Sequence, residues 1–341
     1  MGTTEPTNFQ YTSKNFKSDQ YVRWCPGCGD YAILNSLQKV MADLGVAPHN
    51  TAVISGIGCS SRLPYYINSY GFHSIHGRGA AVATGVKVAN PRLTVWQITG
   101  DGDCLAIGGN HFIHSVRRNI DINVLLFNNQ IYGLTKGQYS PTTKKGYVTK
   151  SSPFGTVERP FRPAELTMGS RGTFFGRVLD VDLKNSQTTL MEAAKHKGTS
   201  VVECLVNCII FNDGAHAWLA EKDSRNDRLI FLEQGKPMIF GKDRNKGLVL
   251  DGFNLKVVTI GENGVTEADL LIHDARCENA TLHTILSLME GPDFPIAMGV
   301  IRAVEDETYD YAVEKQIEEV QSKSKIKTID DLFASCEQWE M

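Results

Sequence analysis

No apolar run in this 341-residue chain approaches the ~20 residues that a membrane span needs, so no membrane partner is expected. Charge of one sign is also scarce. Lys and Arg number 35 against 38 Asp and Glu, which leaves nucleic acid without an electrostatic case. The stretch Met1-Gly2-Thr3-Thr4-Glu5-Pro6 lacks the basic and apolar regions of a secretory leader. Pro6 stands where N-myristoylation wants Ser or Thr. Repeats and low-complexity tracts are missing. The eight cysteines are scattered, not set out as a compact disulfide framework. A reducing cytoplasm, with some thiols bound to metal, is the expected setting. What remains is a chain long enough for one α/β core plus an appendage, since single cores stop growing at about 250–300 residues.

Apolar periodicity supplies the elements. Ile33, Leu34, Leu37, Val40, Met41 and Leu44 recur at helical steps. Thr51–Ser55 reads as a short buried strand running into a Gly-rich turn, and 79–85 as a small-residue helix. Leu93–Thr99 is a strand that ends at Gly100-Asp101-Gly102. A helix through Phe112, Ile113 and Val116 follows, then a strand over 122–127. A helix near 190–197 and a strand over 200–206 complete the alternation. Strands alternating with helices predict an α/β fold with a mostly parallel sheet wrapped on both faces. Ligands of such sheets bind beyond the carboxyl ends of strands, where the motifs below fall. Residues 1–22 read as an N-terminal arm and 23–213 as the cofactor-binding domain. Residues 214–341 read as an α+β extension that packs on the core or on a partner chain.

Four short stretches carry the chemistry. Gly100-Asp101-Gly102-Asp103 ends one strand and Asn128-Asn129-Gln130-Ile131 ends the next. A diphosphate needs its charge neutralised, and Mg²⁺ does so with hard oxygen ligands. Asp101 offers a carboxylate, Asn129 a side-chain carbonyl and Ile131 a backbone carbonyl. Cys25-x-x-Cys28 alone allows a zinc knuckle, a redox dithiol or ordinary thiols. Zinc wants a second close Cys or His pair, and none follows in the usual window. Cys59 and Cys208 each lie at a strand-end turn, which suits an iron–sulfur cluster held by four thiolates. Cys204 competes with Cys208, but its position falls within the strand, whereas Cys208 lies past its end. Cys104, Cys277 and Cys336 read as ordinary residues. His76, on a Gly-flanked loop between cofactor turns, is a candidate for contact with cofactor or substrate. Thr135 suits a phosphate, while Lys136 and the forked Arg62 suit a substrate carboxylate.

These residues resemble the β subunit of the 2-oxoacid:ferredoxin oxidoreductases, most of all the 2-oxoglutarate group. The likeness spans about residues 20–213. It rests on Trp24–Asp30, Gly56–Arg62, His76-Gly77-Arg78, Gly100–Asp103, Asn128–Gln138 and Cys208 before Phe211-Asn212-Asp213. It implies thiamine diphosphate, Mg²⁺ and one 4Fe–4S cluster. Cys25, Cys28, Cys59 and Cys208 are implied as cluster ligands, and Asp101, Asn129 and Ile131 as residues around the metal. Cofactor contacts are implied from Ile57, Gly58, Cys59, Ser60, His76, Gly102, Asp103, Gly133, Leu134 and Thr135. The implied activity is CoA-dependent oxidative decarboxylation of 2-oxoglutarate to succinyl-CoA, with electrons passed to ferredoxin and an α subunit completing the site. The alternatives are a pyruvate or broad 2-oxoacid enzyme, a non-redox thiamine-dependent decarboxylase or synthase, and a metal-stabilised electron-transfer subunit.

Overall fold

The computed structural model describes residues 9–337 and Trp339. The expectations for Met1–Pro6 therefore lie outside the described residues. In chain order, helix α1 (Asp30–Asp43) precedes strand β1 (Thr51–Ser55) and edge strand β2 (Tyr70–His73). Next come α2 (Gly79–Ala89), β3 (Thr94–Gly100), α3 (Asp101–Leu105), α4 (Gly109–Arg117) and β4 (Asn123–Asn128). After a long irregular loop follow α5 (Pro163–Gly169), β5 (Phe174–Leu179), α6 (Leu183–Lys195) and β6 (Ser200–Leu205). The C-terminal third holds α7 (Ala217–Ala220), α8 (Arg225–Arg228), β7 (Leu229–Leu232), β8 (Ile239–Phe240), β9 (Lys246–Asp251) and β10 (Asn254–Thr259). It closes with α9 (Thr281–Ser287), β11 (Ile296–Ala303), α10 (Tyr309–Lys323) and α11 (Ile329–Ala334).

The main sheet has eight strands in the order β2-β1-β3-β4-β6-β5-β11-β7. The first six are parallel, and β11 pairs antiparallel with β5 and parallel with β7. Both faces are covered, so the central strands read as unbroken apolar runs. Ile54, Val95, Val124 and Leu126 face Ala83 of α2 and Phe112 and Val116 of α4. Their sequence neighbours Val53, Trp96, Leu125 and Phe127 face Ile33 and Leu37 of α1 and Leu190 of α6. Strand order reverses between β1 and β3, which opens a crevice at their carboxyl ends.

Two elements escape the apolar pattern for physical reasons. Strand β2 is a sheet edge whose residues Tyr70 and Phe72 are exposed. Strand β5 is fully buried, yet carries Gly176 and Arg177. Arg177 is tolerated because its Nε donates to Glu203 Oε2 at 2.7 Å, while its other nitrogens donate to the carbonyls of Ala297 and Ser287. The C-terminal third is continuous with the sheet through β11 and β7, and a separate antiparallel sheet, β10-β9-β8, flanks it.

Breaking a buried ion pair strands the remaining charge. Arg177→Met is therefore expected to lower unfolding free energy by about 3–5 kcal/mol in denaturant titration. Adding Glu203→Leu should recover most of that loss. A single-variant loss under about 1 kcal/mol would show that the pair contributes little.

Candidate active site

A cavity of about 330 Å³ opens at the reversal point. The turn after β1 contributes Ile57, Gly58, Cys59 and Ser60, and the loop before α2 contributes His76. The end of β3 brings Asp101, Gly102 and Asp103. The loop after β4 brings Asn129, Ile131, Gly133, Leu134 and Thr135. The structure thus gathers on one wall all the residues expected to touch a diphosphate or its metal. It adds Phe127, and it brings in Gly100, Tyr132 and Gln138, which the motifs contain but which were not assigned as contacts.

Asp103 builds the frame. Its Oδ1 accepts from the backbone N–H of Ile57 at 2.8 Å and of Gly77 at 2.7 Å. Its Oδ2 accepts from the Thr99 hydroxyl at 2.7 Å. His76 Nδ1 also approaches Oδ1, at 2.9 Å, as a close contact off the hydrogen-bond direction. A side chain at Gly56 would overlap the Asp103 carboxylate, so glycine is required there. Gly77 has φ +71° and packs on the Gly108 backbone. Tyr132 lies over Gly102 and donates to its carbonyl at 3.1 Å. Burial, with the charges of Asp101 and Asp103, pushes its phenol up to about 12.

Among the described residues, no Lys or Arg lines this cavity, so a bound diphosphate needs a metal for neutralisation. The oxygen donors suit Mg²⁺. Asp101 is buried, and desolvation raises its carboxyl to about 6 despite hydrogen bonds from Ser140 and Thr142. The Asn129 side-chain oxygen is held by the Ile131 N–H at 3.1 Å. Thr135 donates instead to Gln138.

The four thiols of the cysteine motifs gather behind this wall. A Cβ at Gly133 would lie 3.5 Å from the sulfurs of both Cys59 and Cys208. Cys28 feels the charges of Cys59 and Cys208, and Cys59 those of Cys208 and Cys25. Burial raises the Cys28 thiol far above its ordinary range and the Cys59 thiol to about 12, with Asp30 adding to both. Thiols so placed ionise readily only when a metal takes the proton's place. Among the described residues, no three His, Cys, Asp or Glu side chains converge tightly enough for a single ion. The turn carrying Cys208 is pinned by Asn207, whose N–H donates to Asp180 at 2.8 Å and whose carbonyl accepts from Gly29 at 3.1 Å. Trp24 donates its indole N–H to the Cys59 carbonyl at 2.7 Å. Cys204 is wholly buried inside β6, on the face packed against α1 and α6. Cys104 is buried in α3, and Cys277 and Cys336 are exposed.

Arg62 lies in an adjoining cavity of about 310 Å³ that shares Ile57, Gly58 and Leu134 with the first. Arg23, Tyr65 and His73 join it there, with His73 Nδ1 3.1 Å from the Tyr65 hydroxyl. Among the described residues, neither arginine has an acidic partner. Sequence reasoning passed over Arg23, which stands just before the Trp24–Asp30 motif and belongs to none itself. Lys136 is exposed, with φ +75°, and lines neither cavity.

Asp103→Ala should leave the Ile57 and Gly77 amides without their acceptor, at about 1–3 kcal/mol each. Hydrogen exchange at these two amides is expected to accelerate at least tenfold, with the helices unaffected. Unchanged protection would remove Asp103 from the framing role.

The family described as thiamine pyrophosphate enzyme, C-terminal TPP binding domain, matches residues 56–204. The 2-oxoglutarate oxidoreductase subunit KorB of Mycobacterium tuberculosis (strain ATCC 25618 / H37Rv) is 47% identical over 305 residues, covering 89% of this chain and 81% of that protein. The 2-oxoacid:ferredoxin oxidoreductase 1 subunit beta of Aeropyrum pernix is 45% identical over 219 residues, 64% of this chain and 67% of that one. A chain of the solved 2-oxoglutarate:ferredoxin oxidoreductase from Magnetococcus marinus superposes with a TM-score of 0.76 at 30% identity, covering 97% of both chains. That structure holds 2-oxoglutarate, coenzyme A and succinyl-CoA. With its motifs gathered at one crevice and these relatives alongside, the chain belongs to the β-subunit family of the 2-oxoacid:ferredoxin oxidoreductases.

Proposed function

We propose that this chain is the β subunit of a CoA-dependent 2-oxoglutarate:ferredoxin oxidoreductase, and that it carries thiamine diphosphate, Mg²⁺ and one 4Fe–4S cluster. The observation that carries the reading is Gly133, which lines the diphosphate cavity on one side and lies against Cys59 and Cys208 on the other. Once bound, thiamine diphosphate would supply the electron sink for decarboxylation, and the cluster would accept the electrons released from the 2-oxoacid. The chain's residues do the rest. Asp101, Asn129 and the Ile131 carbonyl would hold the metal. Backbone N–H groups near Gly102 and Gly133 would meet the phosphates, since neither glycine adds a side chain of its own. His76 would face the reacting end, with its Nδ1 close to the Asp103 carboxylate. Arg62 and Arg23, in the adjoining cavity, and Lys136, exposed outside both cavities, are the cations for the two carboxylates of 2-oxoglutarate, which would be costly to bury unpaired.

Exposed Phe72 and Ile75 flank His76, leaving an apolar rim beside the cavity mouth. That rim suits cover by the α subunit, which the names of the relatives presuppose. Cys277 and Cys336 are exposed and lie outside the proposed cluster, as suits a reducing cytoplasm. Among the described residues, no helix is long and apolar enough to cross a membrane.

Two measurements test this reading. Ser at Cys25, Cys28, Cys59 or Cys208 should strip the visible iron–sulfur absorption of the anaerobically purified complex, because an alkoxide is a poor substitute on soft iron. Cys204→Ser should retain it, and the opposite pattern would exchange the fourth ligand. Substrate choice is read from turnover. Arg62→Met and Lys136→Met should each raise the KM for 2-oxoglutarate by roughly 10–100-fold, the worth of a charged hydrogen bond, and that for pyruvate far less. A wild-type complex that prefers pyruvate would overturn the substrate assignment and leave the cofactor assignments standing.

A further inference from the structure

Ser140 and Thr142 lie on the loop after the diphosphate wall and do not themselves line the cavity. Both are buried, and both hydroxyls donate to the same atom, Oδ2 of Asp101, at 2.5 Å. The other Asp101 oxygen is left free of side-chain donors. The loop that presents the two hydroxyls is fixed in turn. Ser140 N–H donates to the Thr143 hydroxyl at 2.7 Å, and that hydroxyl donates to the Gln130 carbonyl at 2.7 Å. Thr142 also lies 2.9 Å from Asn128 Oδ1, and Asn128 donates to Glu203 at 2.8 Å. Thr142 has one proton for two acceptors, and a carboxylate outcompetes an amide carbonyl for it.

We propose that Ser140 and Thr142 are positioning residues for the diphosphate's metal: by occupying one oxygen of Asp101 they aim the other at the cation. This rests on the thiamine–Mg²⁺ reading above and assigns a role to two residues that no sequence motif marks. Hydroxyl donors on a ligating carboxylate fix its rotation about χ2, so the metal meets a carboxylate already oriented. Losing one such partner typically lowers metal affinity 10–100-fold.

The test uses the assembled two-subunit complex, freed of cofactor and metal by a chelator. Thiamine diphosphate binding is followed by calorimetry across a Mg²⁺ series. Thr142→Val and Ser140→Ala are each expected to raise the Mg²⁺ needed for half-maximal binding roughly 10–100-fold, with the iron–sulfur absorption intact. Thr142→Ser should restore the wild-type requirement, which a mere space-filling role for Thr142 does not foresee. Wild-type Mg²⁺ dependence in both Thr142→Val and Ser140→Ala overturns the proposal. Should Thr142→Val not assemble, Ser140→Ala decides by the same criterion. Cofactor binding by the wild-type complex without any metal requirement overturns the thiamine–Mg²⁺ reading itself, and this proposal with it.

Discussion

The crevice at the strand reversal depends on the buried carboxylate of Asp103, which holds chain segments that are remote in sequence. It sits at the start of α3 and binds the Ile57 amide after β1, the Gly77 amide before α2 and the Thr99 hydroxyl at the end of β3. Without an acceptor there, two backbone N–H groups would be buried unpaired, and the turns would move to find water. Gly56 and Gly77 are the sequence's accommodation to this arrangement, because a Cβ at either would collide with the carboxylate or with the Gly108 backbone. Positioning of His76 and of Cys59 follows from the same clasp. His76 adjoins Gly77, and Cys59 lies two residues past Ile57.

The division of charge between the two cavities then suggests a division of labour. The thiamine cavity carries Asp101 and Asp103 and no cationic side chain, so a diphosphate must bring its own metal. The neighbouring cavity carries Arg23 and Arg62 without acidic partners, which suits an anionic substrate. Ile57, Gly58 and Leu134 are common to both. Cys59, which lines the diphosphate cavity, and Cys208 both lie against Gly133 of the same wall. Cofactor, substrate and electron acceptor would thus meet across a few residues contributed by the carboxyl ends of β1, β3, β4 and β6.

Much of this was legible in the sequence, because strand ends in a parallel sheet announce themselves by apolar runs followed by Gly, Asp and Asn. The preference for Cys208 over Cys204 followed from strand position, and the fold places Cys204 in the closed core beside Val202. Less legible were features that depend on long-range pairing. Arg177 hid β5 because only Glu203, 26 residues away, neutralises it. The union of β11 with β5 depends on an antiparallel register with a bulge between Val300 and Arg302, which no local pattern encodes. Ser140 and Thr142 looked like ordinary loop residues, since their partner Asp101 lies 39 and 41 positions earlier.

The central claim is that decarboxylation in the thiamine cavity and electron acceptance at the four thiols are neighbouring events within one site. It is tested most directly by rapid mixing of the anaerobic two-subunit complex, loaded with thiamine diphosphate and Mg²⁺, with 2-oxoglutarate in the absence of ferredoxin. The account predicts that the iron–sulfur absorption bleaches in step with CO₂ release, and that omitting thiamine diphosphate abolishes both. CO₂ release with an unchanged cluster spectrum would contradict it.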